Sequence, residues 1–596
     1  MPPLRLRPVL ASRPLAVLLA VALGASALVG LPAATAETVA TPDPTTGASN
    51  VPLPADAAVL LVDGLNWNTT VWPDGSAELP FPTIKMAVAQ AQKLRGSGRA
   101  VRIVVNPGTY RESVTIGSSG ANPPLVVESA QPGQAVVSGA DLETRWTPIP
   151  GTALLQAPWD QDWGLAPVPS TWDGVAVSDA VRRRESVLVD GKPLTQVLDE
   201  GQLTAGSFFV DEAGDRLVVR PPAGIADLST RTVEVARRDR TLHVFGTADD
   251  VTVRGFTFEA AAAPFEKHMV YVSDATDVLF DGNTFRHSSW GGLGLCCGSR
   301  ITVRGNRALD NGGNGIDSYK TSGLVLDRNT MTGNNVRGAA NGYTGWSVAG
   351  SKHLLLRDAL FTGNTYDSNR ARGLWLDTDV SNVVVRGDRA CGNTREGLFV
   401  EAVQGPTTIE DSTFCVNGHG GIVIATSRGI TIQRSILSGN GKGNLVFAGE
   451  RSRTWTDRLT GATITVGDFE DIRLLGNQLT SGGAAPLVMT PVIPLQDWTA
   501  RLKAGQIVSR SNTWDHPKLA DAIKVQGTSY PKVDWDTHTG EGGVATTTTV
   551  APTTTAAPTT TAAPTTTTTT LTATTTTVKT TTTTAPTKPG KGNNKR

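Results

Sequence analysis

Gly373-Leu-Trp-Leu-Asp-Thr-Asp379 returns 24 residues later (397 − 373) as Gly397-Leu-Phe-Val-Glu-Ala402. Side chains of a strand alternate between two faces. Leu374, Leu376, Leu398 and Val400 therefore share one face, and Trp375, Asp377, Phe399 and Glu401 share the other. Stacked as neighbouring parallel strands, the two segments set Asp377 beside Glu401 at a strand spacing of about 4.8 Å. An outward row of aromatic residues and adjacent carboxylates is the strongest candidate for chemistry in the chain.

Working outward from this pair, short apolar segments begin at Val251, Val278, Ile301, Leu324, Leu354, Val383, Thr407 and Ile430, with starts 27, 23, 23, 30, 29, 24 and 23 residues apart. Seven residues after each start stand Phe258, Phe285, Ala308, Met331, Phe361, Ala390, Phe414 and Leu437. Ten residues after the last six stand Asn311, Asn334, Asn364, Asn393, Asn417 and Asn440. The apolar ladder marks one inward position per coil. The asparagine ladder marks a tight turn, where Asn tolerates left-handed geometry and its amide can bond the next coil. Self-similarity at this period, with short strands and polar turns, predicts an all-β chain folded as a right-handed parallel β-helix, a solenoid.

These coils resemble the pectin-lyase-like superfamily of right-handed parallel β-helices. Upstream, Pro80-Phe81-Pro82-Thr83-Ile84 leads into an amphipathic helix to Leu94, with Thr83 as N-cap and Gly96 as the stop, followed by Ile103-Val-Val-Asn-Pro-Gly-Thr-Tyr110. The resemblance implies that this N-terminal capping helix plugs the open end of the solenoid.

The remaining organisation is read as follows. Arg5, Arg7 and Arg13, an apolar run from Leu15 to Val29 and Ala34-Thr35-Ala36 predict a signal peptide over 1–36, hence a secreted protein without a membrane span once cleaved. A linker covers 37–55, and the cap and first coils 56–140. Residues 141–240 break the period and alternate like antiparallel strands, which predicts a small β-sandwich-like insertion carrying Trp146, Trp159, Trp163 and Trp172, read as buried under loops. Repeats then run over 241–540, interrupted around Trp455. The Thr/Pro-rich stretch over 541–596 ends in Lys595-Arg596; it cannot bury a core, and it could lean on a cell wall or serve as a solvated spacer. Cys391 and Cys415 fall at the same place in adjacent coils and are expected to form a disulfide, whereas Cys296-Cys297 has no clear reading. Net charge is zero, and no nucleotide-binding glycine fingerprint, Cys/His metal cluster or Ser/His/Asp arrangement stands out. No nucleic-acid partner is expected; the histidines read mostly as surface or turn residues, and the protein as a monomer.

Aligning Gly345, Gly373, Gly397 and Gly421 gives one outward column of Tyr319, Ala349, Asp377, Glu401 and Ala425, and another of Asp317, Ser347, Trp375, Phe399 and Val423. Two carboxylates about 5–5.5 Å apart suit a retaining glycosidase acting on a plant or microbial glycan. Their mutual repulsion raises one pKa, which keeps one member protonated. The Asp-then-Glu pair one coil apart, with the insertion, resembles β-helix glycosidases of the β-xylosidase type. By that resemblance Asp377 is the nucleophile and Glu401 the acid/base. Trp375 and Phe399 then offer sugar-stacking faces, with Asp317, Tyr319 and Asp379 as further substrate contacts. No cofactor is needed for this reading. Arg372 and Glu396 are expected to form an exposed inter-coil ion pair. Two alternatives stand beside it. A polysaccharide lyase acting on a uronate polymer would hold calcium on Asp377, Asp379 and Glu401 and use Lys352, Arg370 or Arg372 as base, although the aligned columns contain no basic residue. A non-catalytic wall- or glycan-binding protein would present the same residues as a polar face.

Overall fold

The computed structural model describes residues 53–65, 71–118, 122–172, 174–246, 248–449 and 452–541. The signal peptide, most of the linker and the tail from residue 542 lie outside the described residues. Three parallel sheets wind along the chain as a right-handed β-helix. One holds 13 strands, from Ala58–Val62 to Ile507–Arg510, and a second 13, from Val114–Ile116 to Thr528–Ser529, the last of which turns back antiparallel to Ile523–Val525. The third comes in pieces of 6 and 5 strands, linked by single bridges from Thr365 to Thr330 and Arg389. Strands this short hold because each is paired on both sides and buries alternate residues between the sheets. Leu374, Leu376, Leu398 and Val400 are at most 1% exposed inside the solenoid, as alternation requires.

The stacking register is Val251, Val278, Ile301, Leu324, Ala359, Val383, Thr407, Ile430. The fifth member is Ala359, not Leu354. This coil is 35 residues long (359 − 324) and accommodates the short helix Val336–Ala340, which the apolar pattern does not reveal. The five-residue slip (359 − 354) has consequences in both ladders. Tyr366, not Phe361, holds that coil's position in the apolar ladder, Phe361 being buried instead between Leu326 and Val385 in the neighbouring sheet, and Asn369 takes the place read for Asn364. The amides of Asn311, Asn334, Asn369, Asn393, Asn417 and Asn440 bond one another in that order at 2.9–3.1 Å. Asn364 belongs to a second ladder of Asn283, Asn306, Asn329 and Asn364, whose amides each reach the next at 3.0–3.1 Å. Each buried amide left without such a partner would cost about 1–3 kcal/mol, so the ladders fix register as well as turn geometry.

Where the second ladder continues, an aspartate replaces asparagine. Asp388 Oδ1 accepts from Asn364 N at 2.8 Å and its Oδ2 from the Tyr366 hydroxyl at 3.1 Å, in a site of 2% exposure. Burial pushes its carboxyl up to about 7, against the opposing hydrogen bonds from Asn364 and Tyr366. In the unfolded chain the same group ionises near 4. Between those values the folded state holds a proton that the unfolded state has lost, so stability falls as pH rises from about 4 to 7 and stays reduced above. Asp388→Asn removes that penalty, and the denaturation midpoint at pH 8 should rise by the equivalent of about 2–4 kcal/mol, with little change at pH 4. Equal midpoints at both pH values would show that Asp388 is ionised in the fold at no cost.

The ends and interruptions complete the scaffold. The helix Ile84–Gly96 lays Ile84, Ala87, Val88 and Ala91 on the core, and Thr83 Oγ1 accepts from Met86 N at 3.2 Å. It runs on through Gly96; the left-handed exit is at Gly98, φ 86°. The insertion forms a four-stranded and a five-stranded sheet around Trp159, Phe208, Leu217 and Val235. The interruption around Trp455 is an antiparallel hairpin, Ser452–Thr456 with Thr463–Gly467. At the far end the helices Leu495–Lys503 and Lys532–Thr539 cover the core with Trp498 and Trp535, whose rings stack at 6.1 Å. Cys391 and Cys415 are register partners with Cα atoms 4.6 Å apart and form a disulfide; Cys296 and Cys297 are also joined. No helix among the described residues is long and apolar enough to cross a membrane.

Candidate active site

Asp377 and Glu401 are direct register partners on strands Arg372–Asp377 and Leu398–Glu401. Both line a pocket of about 430 Å³. The outward columns around them differ from those aligned on Gly345, because the neighbour of Gly373 is Gly350. One column reads Tyr319, Leu354, Asp377, Glu401, Ala425; the other reads Asp317, Lys352, Trp375, Phe399, Val423. Leu354 replaces Ala349, and Lys352 replaces Ser347. The groove therefore does contain a basic residue, and its ammonium lies 3.0 Å from Asp377 Oδ2, with both side chains only 10% exposed.

A second cation comes from outside the periodic coils. Arg453, on the hairpin, donates from Nη1 to Glu401 Oε1 at 2.7 Å and from Nη2 to Thr378 Oγ1 at 3.2 Å. Thr378 in turn donates to Asp377 Oδ1 at 2.8 Å. The two carboxylates are thus tied through Thr378 and Arg453. Burial first, and the Asp377 charge second, hold the Glu401 carboxyl above its ordinary range, with Arg453 and Lys352 pulling the other way. A carboxyl shifted in this sense, beside one paired with a cation, is the division of labour that acid–base chemistry uses.

Two expected contacts, Phe399 and Asp379, are not where the sequence placed them, and a third, Trp375, lines the pocket with its ring largely covered. Trp375 is 4% exposed; its ring is covered by Lys352 Nζ at 3.6 Å and by the Arg372 guanidinium at 4.1 Å. Phe399, under the same guanidinium at 4.7 Å, is not among the pocket-lining residues. Both rings lie against cations, which take up ring faces read as free for a sugar. Asp379 is fully buried away from the pocket, where it pairs with Arg357 and accepts from Gln404 Nε2 at 2.7 Å and Arg458 N at 3.2 Å. Arg357 and Gln404 also hold Asp457, so Asp379 anchors the hairpin that carries Arg453. It cannot join Asp377 and Glu401 around a calcium ion. Arg372 and Glu396 do pair, at 3.0 Å, but the pair is buried. Burial raises the Glu396 carboxyl, yet His419, Arg372 and Arg395 outweigh it and hold the group down to about 2.

The pocket extends to residues upstream. Asp317 and Tyr319 line it, as expected. Asp317 accepts from His268 Nε2 at 3.0 Å, Asn314 Nδ2 at 2.6 Å and Lys352 N at 3.0 Å. His268 reaches across an entire coil because Gly294 intervenes: a Cβ there would stand 2.4 Å from the imidazole. Trp172 of the insertion and Trp346 of the long coil also line the pocket, their rings edge to face at 5.8 Å. Trp172 is thus half-buried at the site rather than hidden beneath a loop, whereas Trp159 is buried in the insertion. Another carboxylate, Glu266, lines the pocket beside them. Lys352, named from the sequence only as a lyase base, gains its place in the groove column from the 24-residue step back from Asn393 to Asn369, which corrects the register; Arg453, Glu266 and His268 were missed and lack a periodic signal.

A family model described as right handed beta helix region matches residues 241–340 and 327–457. None of the curated proteins matches the chain. Among solved structures, the complex of XylC with xylose is similar at 15% identity, covering 80% of this chain and 87% of that one, with a TM-score of 0.59. The A-module of the Azotobacter vinelandii mannuronan C-5 epimerase AlgE4 matches at 14% identity over 75% of this chain and 93% of that one, with a TM-score of 0.42. A glycoside hydrolase matches at 12% identity over 81% and 99%, with a TM-score of 0.36; the last two superpose too loosely to carry an argument. The matched coils and the superposition on XylC agree with the sheet topology, and the chain takes a right-handed parallel β-helix fold.

Proposed function

We propose that this protein is a retaining glycoside hydrolase. Asp377 attacks the anomeric carbon while the glycosidic C–O bond breaks and the Glu401 proton passes to the leaving oxygen. Water then attacks the same carbon, gives its proton to Glu401 and releases Asp377 from the ester. The observation that carries this reading is the pairing of Asp377 and Glu401 on adjacent strands inside one pocket, a single strand spacing apart. That spacing suits a direct nucleophile and leaves no room for the interposed water of an inverting enzyme. Lys352 and Thr378 orient Asp377. The solved structure with the better superposition holds xylose, so aryl xylosides head the substrate panel.

Arg453 favours the ionised form of Glu401, so it must yield when the acid is loaded. Arg453→Met is expected to raise the Glu401 pKa and move the alkaline limb of kcat/KM to higher pH, since the protonated acid then survives further up the scale. An unmoved alkaline limb would remove Arg453 from the account.

Lys352 favours one second reading, a lyase that abstracts a proton beside a uronate, because it stands in the groove column next to Asp377. Against it, the carboxylates needed for calcium are not brought together, Asp379 being held by Arg357. Aryl glycosides and uronate polymers, each assayed with and without chelator, separate the readings. A chelator-insensitive release of free sugar supports the hydrolase, an unsaturated uronide the lyase, and no turnover a binding protein.

A further inference from the structure

Glu266 takes no part in the proposed reaction, yet three separate costs fall on it. Its Oε1 is buried without a hydrogen-bond partner, while Oε2 accepts from Ser347 Oγ at 2.8 Å. An unmet buried oxygen of this kind costs about 1–3 kcal/mol or more. Its backbone is left-handed, φ 60°, which for a residue other than glycine is sparsely populated strain that tends to collect at working sites. Burial also holds its carboxyl up to about 7, against Ser347, Lys352 and His268 and with Asp317. Nothing among the described residues relieves the bare oxygen.

Its surroundings differ sharply from those of the other upstream carboxylate. Asp317 already accepts three hydrogen bonds, from His268, Asn314 and the Lys352 amide, and has little left to offer a ligand. Glu266 lines the same pocket and keeps one oxygen, Oε1, without a partner, covered until its side chain turns toward a ligand. The two are joined by a polar chain: Ser347 Oγ holds Glu266, Asn314 Nδ2 donates to the Ser347 carbonyl at 3.0 Å and to Asp317, and Lys352 links Asp317 to Asp377. Glu266 is therefore held in a fixed relation to the reacting pair, with Trp172 and Trp346 lining the space beside it. Rigid placement of a single unsatisfied acceptor is what a site needs to demand a particular hydroxyl.

We infer that Glu266 is the hydroxyl-recognition residue of the pocket, accepting hydrogen bonds from neighbouring free hydroxyls of a sugar ring whose anomeric carbon faces Asp377. This rests on the hydrolase reading for the orientation of the ring, and names its substrate class: a glycan whose bound residue carries adjacent unsubstituted hydroxyls.

The test is calorimetric and needs no turnover. Binding of free D-xylose and of its 2-, 3- and 4-deoxy counterparts is measured on the wild type, Glu266→Ala, Glu266→Gln and Ser347→Ala, with melting temperatures recorded alongside. On the wild type, at least one deoxy sugar should bind about tenfold or more weaker than xylose, because it leaves the Glu266 oxygen unmet. Glu266→Ala should bind xylose about as weakly as the wild type binds that deoxy sugar, and should no longer distinguish the two. Ser347→Ala, which only frees Glu266 to turn, should lose a smaller part of the discrimination. Glu266→Gln keeps an amide oxygen and should retain part of the discrimination, whereas Glu266→Met, measured in the same way, fills the space without an acceptor oxygen and reads the alanine ratio if that variant does not fold. Discrimination unchanged in Glu266→Ala or Glu266→Met, or no binding of any of these sugars to the wild type, overturns the inference. Because Asp377 and Glu401 are judged by turnover, a failure here leaves the hydrolase reading standing, and a failure there leaves this measurement readable.

Discussion

Asp377→Ala should lower kcat on a glycoside substrate by about 10³–10⁵-fold, with a much smaller change in KM. The alanine removes the atom that forms the covalent intermediate, so the first step has no nucleophile of its own. Water in the vacated space can attack only directly, which inverts the anomeric centre; whatever activity remains should therefore not show net retention. The substitution also strands the Lys352 ammonium, which loses its partner at 3.0 Å but keeps the face of Trp375 at 3.6 Å. Asp377→Asn separates chemistry from packing. It keeps a hydrogen-bonding oxygen toward Thr378, whose hydroxyl now lies 2.8 Å from Oδ1, while losing the nucleophilic charge. Both variants should fall together in kcat, and the asparagine variant should melt closer to the wild type. Near-normal turnover in either, on the same substrate, would remove Asp377 from the chemistry.

Glu401→Ala should behave differently in kind. It removes the proton donor and the later base, so kcat should drop by about 10²–10⁴-fold on glycosides with poor leaving groups. With an activated aryl leaving group the first step needs little protonation, and the loss there should be smaller. Deglycosylation then lacks its base and becomes limiting, so the glycosyl-enzyme accumulates. Azide, which needs no deprotonation, should restore part of the rate and give a glycosyl azide of retained configuration. The structure adds a detail to this expectation. Arg453 donates to Glu401 at 2.7 Å from a side chain 36% exposed, so the vacated site presents a guanidinium that favours entry of an anion. Rescue by azide should thus weaken when Arg453→Met is combined with Glu401→Ala. If Glu401→Ala loses equal activity on good and poor leaving groups and ignores azide, its role is structural.

The parts of this site that follow the coil period were legible in the chain, and the parts that depart from it were not. Leu374, Leu376, Leu398 and Val400 point inward because a strand has a period of two, and that alone turns Asp377 and Glu401 outward. Their pairing needs only the 24-residue repeat, which is unbroken there. One coil earlier, the helix Val336–Ala340 lengthens the repeat without adding an apolar signal, and a five-residue slip moved Lys352 out of the groove and Ser347 into its column. The register error also hid what happens to Trp375, since a ring capped by Lys352 and Arg372 reads the same as a free one. Arg453 lies 52 residues from its partner on a hairpin outside the period. Glu266 works through a left-handed backbone outside the strands, where alternation says nothing about direction. Short-range pattern decides a strand's faces; contacts made by inserted segments depend on packing that no period encodes.

Trapping the intermediate tests the carboxylate-pair mechanism most directly. A 2-deoxy-2-fluoro glycoside with an activated leaving group slows both steps by destabilising the charged transition state, and the good leaving group lets the first step outrun the second. Incubated with a glycoside the enzyme has been shown to turn over, then digested and read by mass spectrometry, the wild-type protein should carry one fluoroglycosyl group on Asp377. Asp377→Ala should carry none, and the label should turn over when a sugar acceptor is added. A label on another residue, or steady turnover of the parent glycoside with inversion and no label at all, would contradict the account.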